Sequence, residues 1–286
     1  MELFSQTLLS GLLVGFLYAL IAVGLTMIFG VMDIVNFAHG DYLMVAMYFA
    51  YWGFASFGID PLYSVPLVTL ALFIIGILTY YLLIRKIINA PMLSQIFVTF
   101  GVLIFLRGLA QFLWKADYRA VPHALLSGSL RVFHLYVGVP QLVAAVGAVV
   151  CNGLIFLFLK RTRLGTALEA VAEDKEAARL MGINSDRMFA LAWGIGIASV
   201  GVAGALLANF YYVFPEVGGN FGLIAFVVVA LGGFGSVVGA FVAGIIVGLV
   251  EVMAGYLFAP SIKFVVVLAL YLVVVLSRPQ GLLGKE

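Results

Sequence analysis

The chain has 286 residues, of which 65% are hydrophobic and only 10% are charged, and its mean hydropathy is +1.21. A soluble domain carries about 45–50% apolar and about 25% charged residues, so this composition excludes a water-soluble fold and predicts a polytopic membrane protein. The net charge of +2 is too small to indicate a nucleic-acid partner, and the single cysteine excludes an intramolecular disulfide.

In chain order, apolar stretches of about 20 residues predict the membrane segments, because that length crosses a bilayer as a helix. The run from 222 to 257 is too long for one span and is split at Gly232–Ser236, whose freed backbone groups need partners from protein or a water-lined cavity. The predicted segments are 7–30, 33–57, 63–84, 93–114, 137–159, 188–213, 222–231, 237–257 and 261–277.

These segments predict an all-α transmembrane bundle of about eight or nine membrane segments, including broken or half helices, within a single domain over 1–286. The first run follows an acidic start without a cleavage site, so we interpret it as a retained span rather than a signal peptide. Lys and Arg mark cytoplasmic loops. They predict cytoplasmic positions for 160–187, the 85–91 turn and the C-terminal tail. Counting spans back from 160–187 predicts an external position for 115–136 and for the N-terminus, although the three basic residues of 115–136 weaken the bias.

Three pairs of glycines have the G-x-x-x-G spacing that lets helices approach closely. Two interpretations stay open at this point: packing between spans of one chain, which we favour, and an interface between two chains. The pairs are Gly11/Gly15, Gly235/Gly239 and Gly244/Gly248.

A polar cluster of Asp33, Asn36, His39 and Asp41 lies between the first two predicted spans. Polar groups inside a membrane are candidates for function. The alternative, which we favour slightly, is an interfacial turn whose side chains satisfy backbone ends. No second His or Cys stands near His39, so we expect no metal site.

The candidate residues of a translocation path are Asn36 and His39 from this cluster and Gly232, Gly233 and Gly235 from the glycine break. Half-helix ends at such a break suit a zwitterionic solute.

Further along the chain, three charged side chains in apolar surroundings need partners. Arg107 is expected to pair or to extend its guanidinium towards water. Glu251 and Lys263 flank a short connection, which predicts a salt bridge near the outer face. Glu216 lies in an external loop that offers a contact for a partner.

Charge concentrates in the segment from Lys160 to Arg187, which holds eleven Lys, Arg, Asp and Glu residues. Thr166 and Glu169 fit a capping box, which predicts a helix starting there. Glu173 and Asp174 are expected to begin a second short turn. Gly182 is placed as the residue after a helix end, where a left-handed backbone suits glycine.

Ser185 is then predicted to cap the next span. From the residues alone, a solvated loop helix without a partner is about as good an interpretation as a docking helix.

Four motifs in order carry a resemblance to a known family. Glu176-Ala177-Ala178-Arg179-Leu180-Met181-Gly182 resembles the E-A-A-x-x-x-G coupling motif of bacterial ABC-importer permeases. The three further motifs are Gly24–Gly30 together with Asn36–Asp41, then Ala230–Ala240, and finally Arg278–Gly284. Together they resemble the branched-chain amino acid ABC transporter permeases, within them the smaller of two permease subunits.

The resemblance implies a permease of the bacterial inner membrane with a coupling loop at 160–187. Its partners would be a second homologous permease, two cytoplasmic ATPase subunits, an extracytoplasmic substrate-binding protein and membrane lipid. The coupling residues would be Glu173, Glu176, Ala177, Ala178, Arg179 and Gly182.

The sequence contains no G-x-x-x-x-G-K-[ST] phosphate loop. ATP and Mg²⁺ would therefore be used by partner subunits, and this chain would be neither an enzyme nor the holder of a cofactor. The alternative function is a self-sufficient secondary transporter or channel for a small polar solute. A membrane-embedded enzyme ranks third, because no paired catalytic set is apparent.

Overall fold

A computed structural model describes residues 2–122, 124–132 and 134–284. Within these residues seven helices are long and apolar enough to cross a membrane, and α2 and α10 add two shorter or more polar segments. The helices are α1 (Glu2–Met32), α2 (His39–Phe57), α3 (Pro61–Thr79), α4 (Arg85–Ile87), α5 (Met92–Trp114), α6 (Val139–Arg161), α7 (Arg163–Glu173), α8 (Lys175–Leu180), α9 (Ser185–Leu207), α10 (Val217–Gly232), α11 (Val237–Leu257) and α12 (Lys263–Ser277).

The all-α membrane bundle predicted from the sequence is confirmed. A π-helical turn, Tyr80–Ile84, joins α3 to α4, and a 3₁₀ turn, Pro260–Ile262, precedes α12. A short antiparallel hairpin, β1 (Ser129–Val132) with β2 (Leu135–Gly138), was not predicted and lies just before α6.

The helices α1 and α9 form the centre of the bundle, each with 78% of its most apolar stretch buried. Glycines let α1 and α11 pack backbone to backbone, because Gly244 lies against Ala19 and Gly11 lies against Leu249. Gly235 in turn lies against Gly30. Glycines of all three G-x-x-x-G pairs therefore pack within the chain, as favoured above.

The second segment differs from its prediction, because α2 begins at His39 and not near 33. Residues 33–38 follow the end of α1 and are not helical. The ring Nε2 of His39 lies 2.9 Å from the carbonyl oxygen of Ile21, which belongs to the middle of α1. The first turn of α2 is therefore placed in the interior of the bundle. Gly40 packs against Gly218 and Gly222 at the start of α10.

The C-terminal tail caps the broken segment. The backbone N–H of Leu282 donates to the carbonyl oxygen of Leu231 (2.8 Å), and that of Leu283 donates to Gly232 (3.1 Å). Gly233, with φ +104°, lies against the backbone of Gln280. The carbonyl groups freed at the end of α10 are thus satisfied by protein.

Candidate functional site: the charged loop and the residues behind it

The charged loop consists of α7, α8 and the turn that leads into α9. Helix α7 begins earlier than predicted, because Thr162 is its N-cap and its hydroxyl accepts a hydrogen bond from the N–H of Gly165 (3.0 Å). Thr166 lies inside the helix, so the predicted capping box is wrong. Glu169 instead forms a salt bridge with Lys160 (2.9 Å), which ties α7 to the end of α6.

Helix α8 has a defined start and end. The carboxylate of Asp174 accepts hydrogen bonds from the N–H groups of Glu176 (2.9 Å) and Ala177 (3.0 Å). The predicted second helix start is therefore confirmed at Asp174, whereas Glu173 is the last residue of α7. At the other end Gly182 has φ +82° and donates to Arg179, while Ile183 donates to Ala178. This is a Schellman motif, which confirms the predicted left-handed glycine.

The loop presents one face to the bundle and the other to solvent. Leu168, Val171 and Ala178 are buried. Leu180 and Met181, at the tip of α8, are 89% and 83% exposed. Two adjacent, fully exposed apolar side chains on a polar segment are available for contact with a partner.

The predicted coupling residues divide in the same way. Ala178 faces inward, and the other members are exposed, namely Glu173, Glu176, Ala177, Arg179 and Gly182. Their role in coupling stays a prediction, while their common exposure at one end of the molecule is what such a role requires.

Two cavities flank the loop. One of about 930 Å³ lies between α8, the end of α1 and the π-helical turn, and Asp33 and Arg85 line it. Another of about 620 Å³ lies between α7 and the glycine break, with Gly235 and Ser236 in its wall. The loop therefore contacts the bundle at its edges and leaves space behind it.

The start of α9 connects this loop to α3. The N-cap is Asn184, whose side-chain oxygen accepts from the N–H of Arg187 (3.1 Å), so the prediction of Ser185 as cap is wrong by one residue. In the first turn, Oδ1 of Asp186 accepts a hydrogen bond from the hydroxyl of Tyr80 (2.8 Å). The same oxygen forms an ion pair with Nε of Arg85 (3.1 Å). Sequence reasoning did not single out these three residues.

Of the polar cluster, Asn36, His39 and Asp41 are buried, whereas Asp33 is exposed and lines the cavity behind α8. Asn36 accepts from the N–H of Ala38 (3.2 Å), and His39 contacts the carbonyl of Ile21. Asp41 is 1% exposed and forms a charge-assisted pair with Arg107 (3.0 Å). These contacts favour the reading of side chains that satisfy backbone ends, and Arg107 pairs, as one of its two predicted outcomes.

The structure does not bring the five path candidates together. His39 lies beside Ile21, whereas Gly235 lies beside Gly30, about 13 Å further along α1. Gly232 and Gly233 lie at the end that carries α7 and are covered by the C-terminal tail. Asn36 and His39 thus belong to the interior, and the glycines belong to the loop end.

The predicted ion pair near the other end of the bundle is confirmed. The ammonium of Lys263 lies 2.6 Å from Oε1 of Glu251, which is 2% exposed. The pair joins α11 to α12 across the short connection at Pro260. Glu216, which precedes α10, also has a partner, because Gln111 donates to its carboxylate (2.8 Å).

A bundle of spanning helices with one structured, charged loop and buried ion pairs defines the class of polytopic membrane proteins. Within that class, residues 7–276 match the family described as branched-chain amino acid transport system, permease component, and the chain belongs to this family. It is therefore a transport component, and its apolar helices and relatives support a multi-pass inner-membrane protein.

Several relatives match over nearly the whole chain, among them the following two. The permease protein BraD of a high-affinity branched-chain amino acid transport system of Pseudomonas aeruginosa is 35% identical, over 98% of this chain and 95% of its own length. The corresponding LivH of Salmonella typhimurium is 34% identical over 99% and 96%. Among solved structures, PsaBC from Streptococcus pneumoniae in complex with Fab is 14% identical with a TM-score of 0.49, and the match covers 93% of this chain and 90% of that one.

Proposed function

We propose that this chain is the membrane-spanning permease subunit of an ATP-driven importer of branched-chain or related amino acids. It would form the translocation path with a second, homologous permease. Two cytoplasmic ATPase subunits would use ATP and Mg²⁺, and an extracytoplasmic binding protein would deliver the solute. Relatives with near-complete coverage bear the name of branched-chain amino acid permeases, which supports the substrate class.

The observation that carries the proposal is the shape of α8. A six-residue helix, capped at both ends, holds Leu180 and Met181 out from a loop that is otherwise anchored by buried side chains. Such an apolar tip, on a short helix that also exposes the charged Glu176 and Arg179, would suit a groove on a partner protein. The chain has no phosphate loop of its own, so a docked ATPase would supply the energy.

Transport by purified components tests the proposal. Reconstituted with the ATPase, the second permease and the binding protein, the chain should support ATP-dependent uptake of branched-chain amino acids into vesicles. Vesicles that hold only the permease should show no flux. Flux without any ATPase would refute the proposal and favour a self-sufficient transporter or channel.

Substitution of Gly182 tests the docking role of α8 directly. Gly182→Val forces a β-branched residue into a left-handed backbone and should abolish co-purification of the ATPase, although no atom lies within 4 Å of the added Cβ. Gly182→Asn is the matched control, because asparagine tolerates this conformation and should retain binding. Equal ATPase recovery with both variants would contradict a role for the α8 end in docking.

A second pair of variants tests the exposed tip. Leu180→Glu should reduce ATPase recovery, because it places charge where the proposed groove is apolar. Leu283→Glu changes a 49% exposed leucine of the tail and serves as the control for added charge at the same end. Equal loss in both variants would indicate a general electrostatic effect and not a contact at α8.

A further inference from the structure

The π-helical turn Tyr80–Ile84 has no role in the function proposed above, yet it lies where the charged loop meets the bundle. A π-turn holds one residue more than the α-helical path between the same ends, is rare, and is frequent at functional sites. Tyr80 is fully buried, and its hydroxyl reaches Asp186 in the first turn of α9. The turn therefore contacts the helix that directly follows α8.

The connection from α8 to this contact is short. Only the turn from Met181 to Asn184 separates α8 from α9, and Asp186 is the second residue of α9. A displacement of α8 therefore acts first on the start of α9. Helix α9 is deeply buried and packs against α1, α2 and α3, and its first turn holds Tyr80 in addition by a hydrogen bond from the Tyr80 hydroxyl to Asp186.

On its other side the π-turn is tied to α2. Thr79, the residue before Tyr80, accepts a hydrogen bond from the hydroxyl of Tyr42 (3.0 Å), which is itself buried in the first turn of α2. That turn also contains His39, at the interior start of α2. The last residue of α3 and the first residue of the π-turn thus face different partners: Thr79 contacts α2, and Tyr80 contacts α9.

Resting on the proposed function, we infer that the π-helical turn is the joint that transmits movement of the ATPase-facing loop to α2, with Tyr80 and Asp186 as positioning residues. Conversion of a π-turn to α-helix shifts one side of the helix by a residue, about 1.5 Å along its axis and about 100° around it. Such a conversion would give the joint two discrete arrangements, the kind of element that can couple distant sites. The cavity of about 930 Å³ behind α8 provides room for the loop to move.

Tyr80→Phe tests the inference with the loss of a single hydroxyl. In the fully assembled transporter in vesicles, amino acid uptake and ATP hydrolysis are measured together. The variant should assemble and hydrolyse ATP, but the amount of solute transported per ATP should fall by about fivefold to tenfold. Tyr81→Phe is the matched control, because Tyr81 lies in the same turn, is 41% exposed and contacts Arg85 through its ring. It should leave the ratio unchanged.

Tyr42→Phe provides the second arm and decides the question if Tyr80→Phe fails to assemble. It should lower the same ratio, and the double variant should lose no more than the larger single loss, because both residues act through one joint. A wild-type ratio in the single variants, or a parallel fall of uptake and hydrolysis, overturns the inference. Absence of ATP-dependent uptake in the wild-type assembly instead overturns the proposed function itself.

Discussion

The substitution Gly244→Ala should force α1 and α11 apart. A Cβ added there would lie 2.5 Å from the Cα of Ala19, whereas ordinary contacts begin at 3.4 Å, so the helices must separate by about 0.9 Å. The obstructing atom belongs to the backbone, and no side-chain rotation relieves it. Overpacking of this kind costs about 2–3 kcal/mol. For a protein of this size that corresponds to a fall in Tm of roughly 4–12 °C.

The measurement is the fraction of protein that stays monodisperse by size-exclusion chromatography after heating in detergent. Gly101→Ala is the matched control: Gly101 lies within α5, and no atom lies within 4 Å of an added Cβ. That change should be neutral or stabilising by about 0.5–1 kcal/mol, because alanine has the better helix propensity. Equal thermal behaviour of the two variants would refute close α1–α11 packing as a determinant of stability.

Two further predictions use the same heating assay. Arg107→Leu strands the carboxylate of Asp41, which is 1% exposed, and should cost about 3–5 kcal/mol. Asp41→Asn should cost less, because the Arg107 side chain is 29% exposed and can reach water; a larger loss in Asp41→Asn would contradict this order. Leu282→Pro removes the N–H that caps Leu231 and should destabilise by about 1–3 kcal/mol, whereas Leu282→Ala retains it. Similar melting of the two Leu282 variants would exclude the tail as a cap.

Much of the membrane architecture could be predicted from the sequence, because span length and hydropathy are local properties. The split of the long apolar run at Gly232–Ser236 agrees with the structure, since α10 ends at Gly232 and α11 begins at Val237. The left-handed backbone of Gly182 was predicted for the same reason: the nearby residues determine which conformations are accessible. Errors of a few residues at caps, such as Ser185 for Asn184, arise because neighbouring polar residues compete for the same N–H groups.

The sequence alone was insufficient for the site, because polar side chains in a membrane find partners far along the chain. Glu251 and Lys263 were paired correctly, since a short connection brings their helices together. Asp41 and Arg107 are 66 residues apart, and nothing local indicates that they meet. The contacts of Tyr80 with Asp186 and of Leu282 with Leu231 likewise depend on how α3, α9 and α10 pack.

Composition and the lengths of the apolar runs by themselves determined that this protein lies in a membrane as a bundle of helices, roughly where the spanning segments lie, and that charge concentrates in one loop. These properties follow from the free energy of placing each residue in lipid or water, which depends on the residue and its near neighbours. The tertiary structure decided which buried charges are paired, which glycines are contacts and where α2 starts. Those features depend on the approach of whole helices, which small residues permit at some crossings and large residues prevent at others.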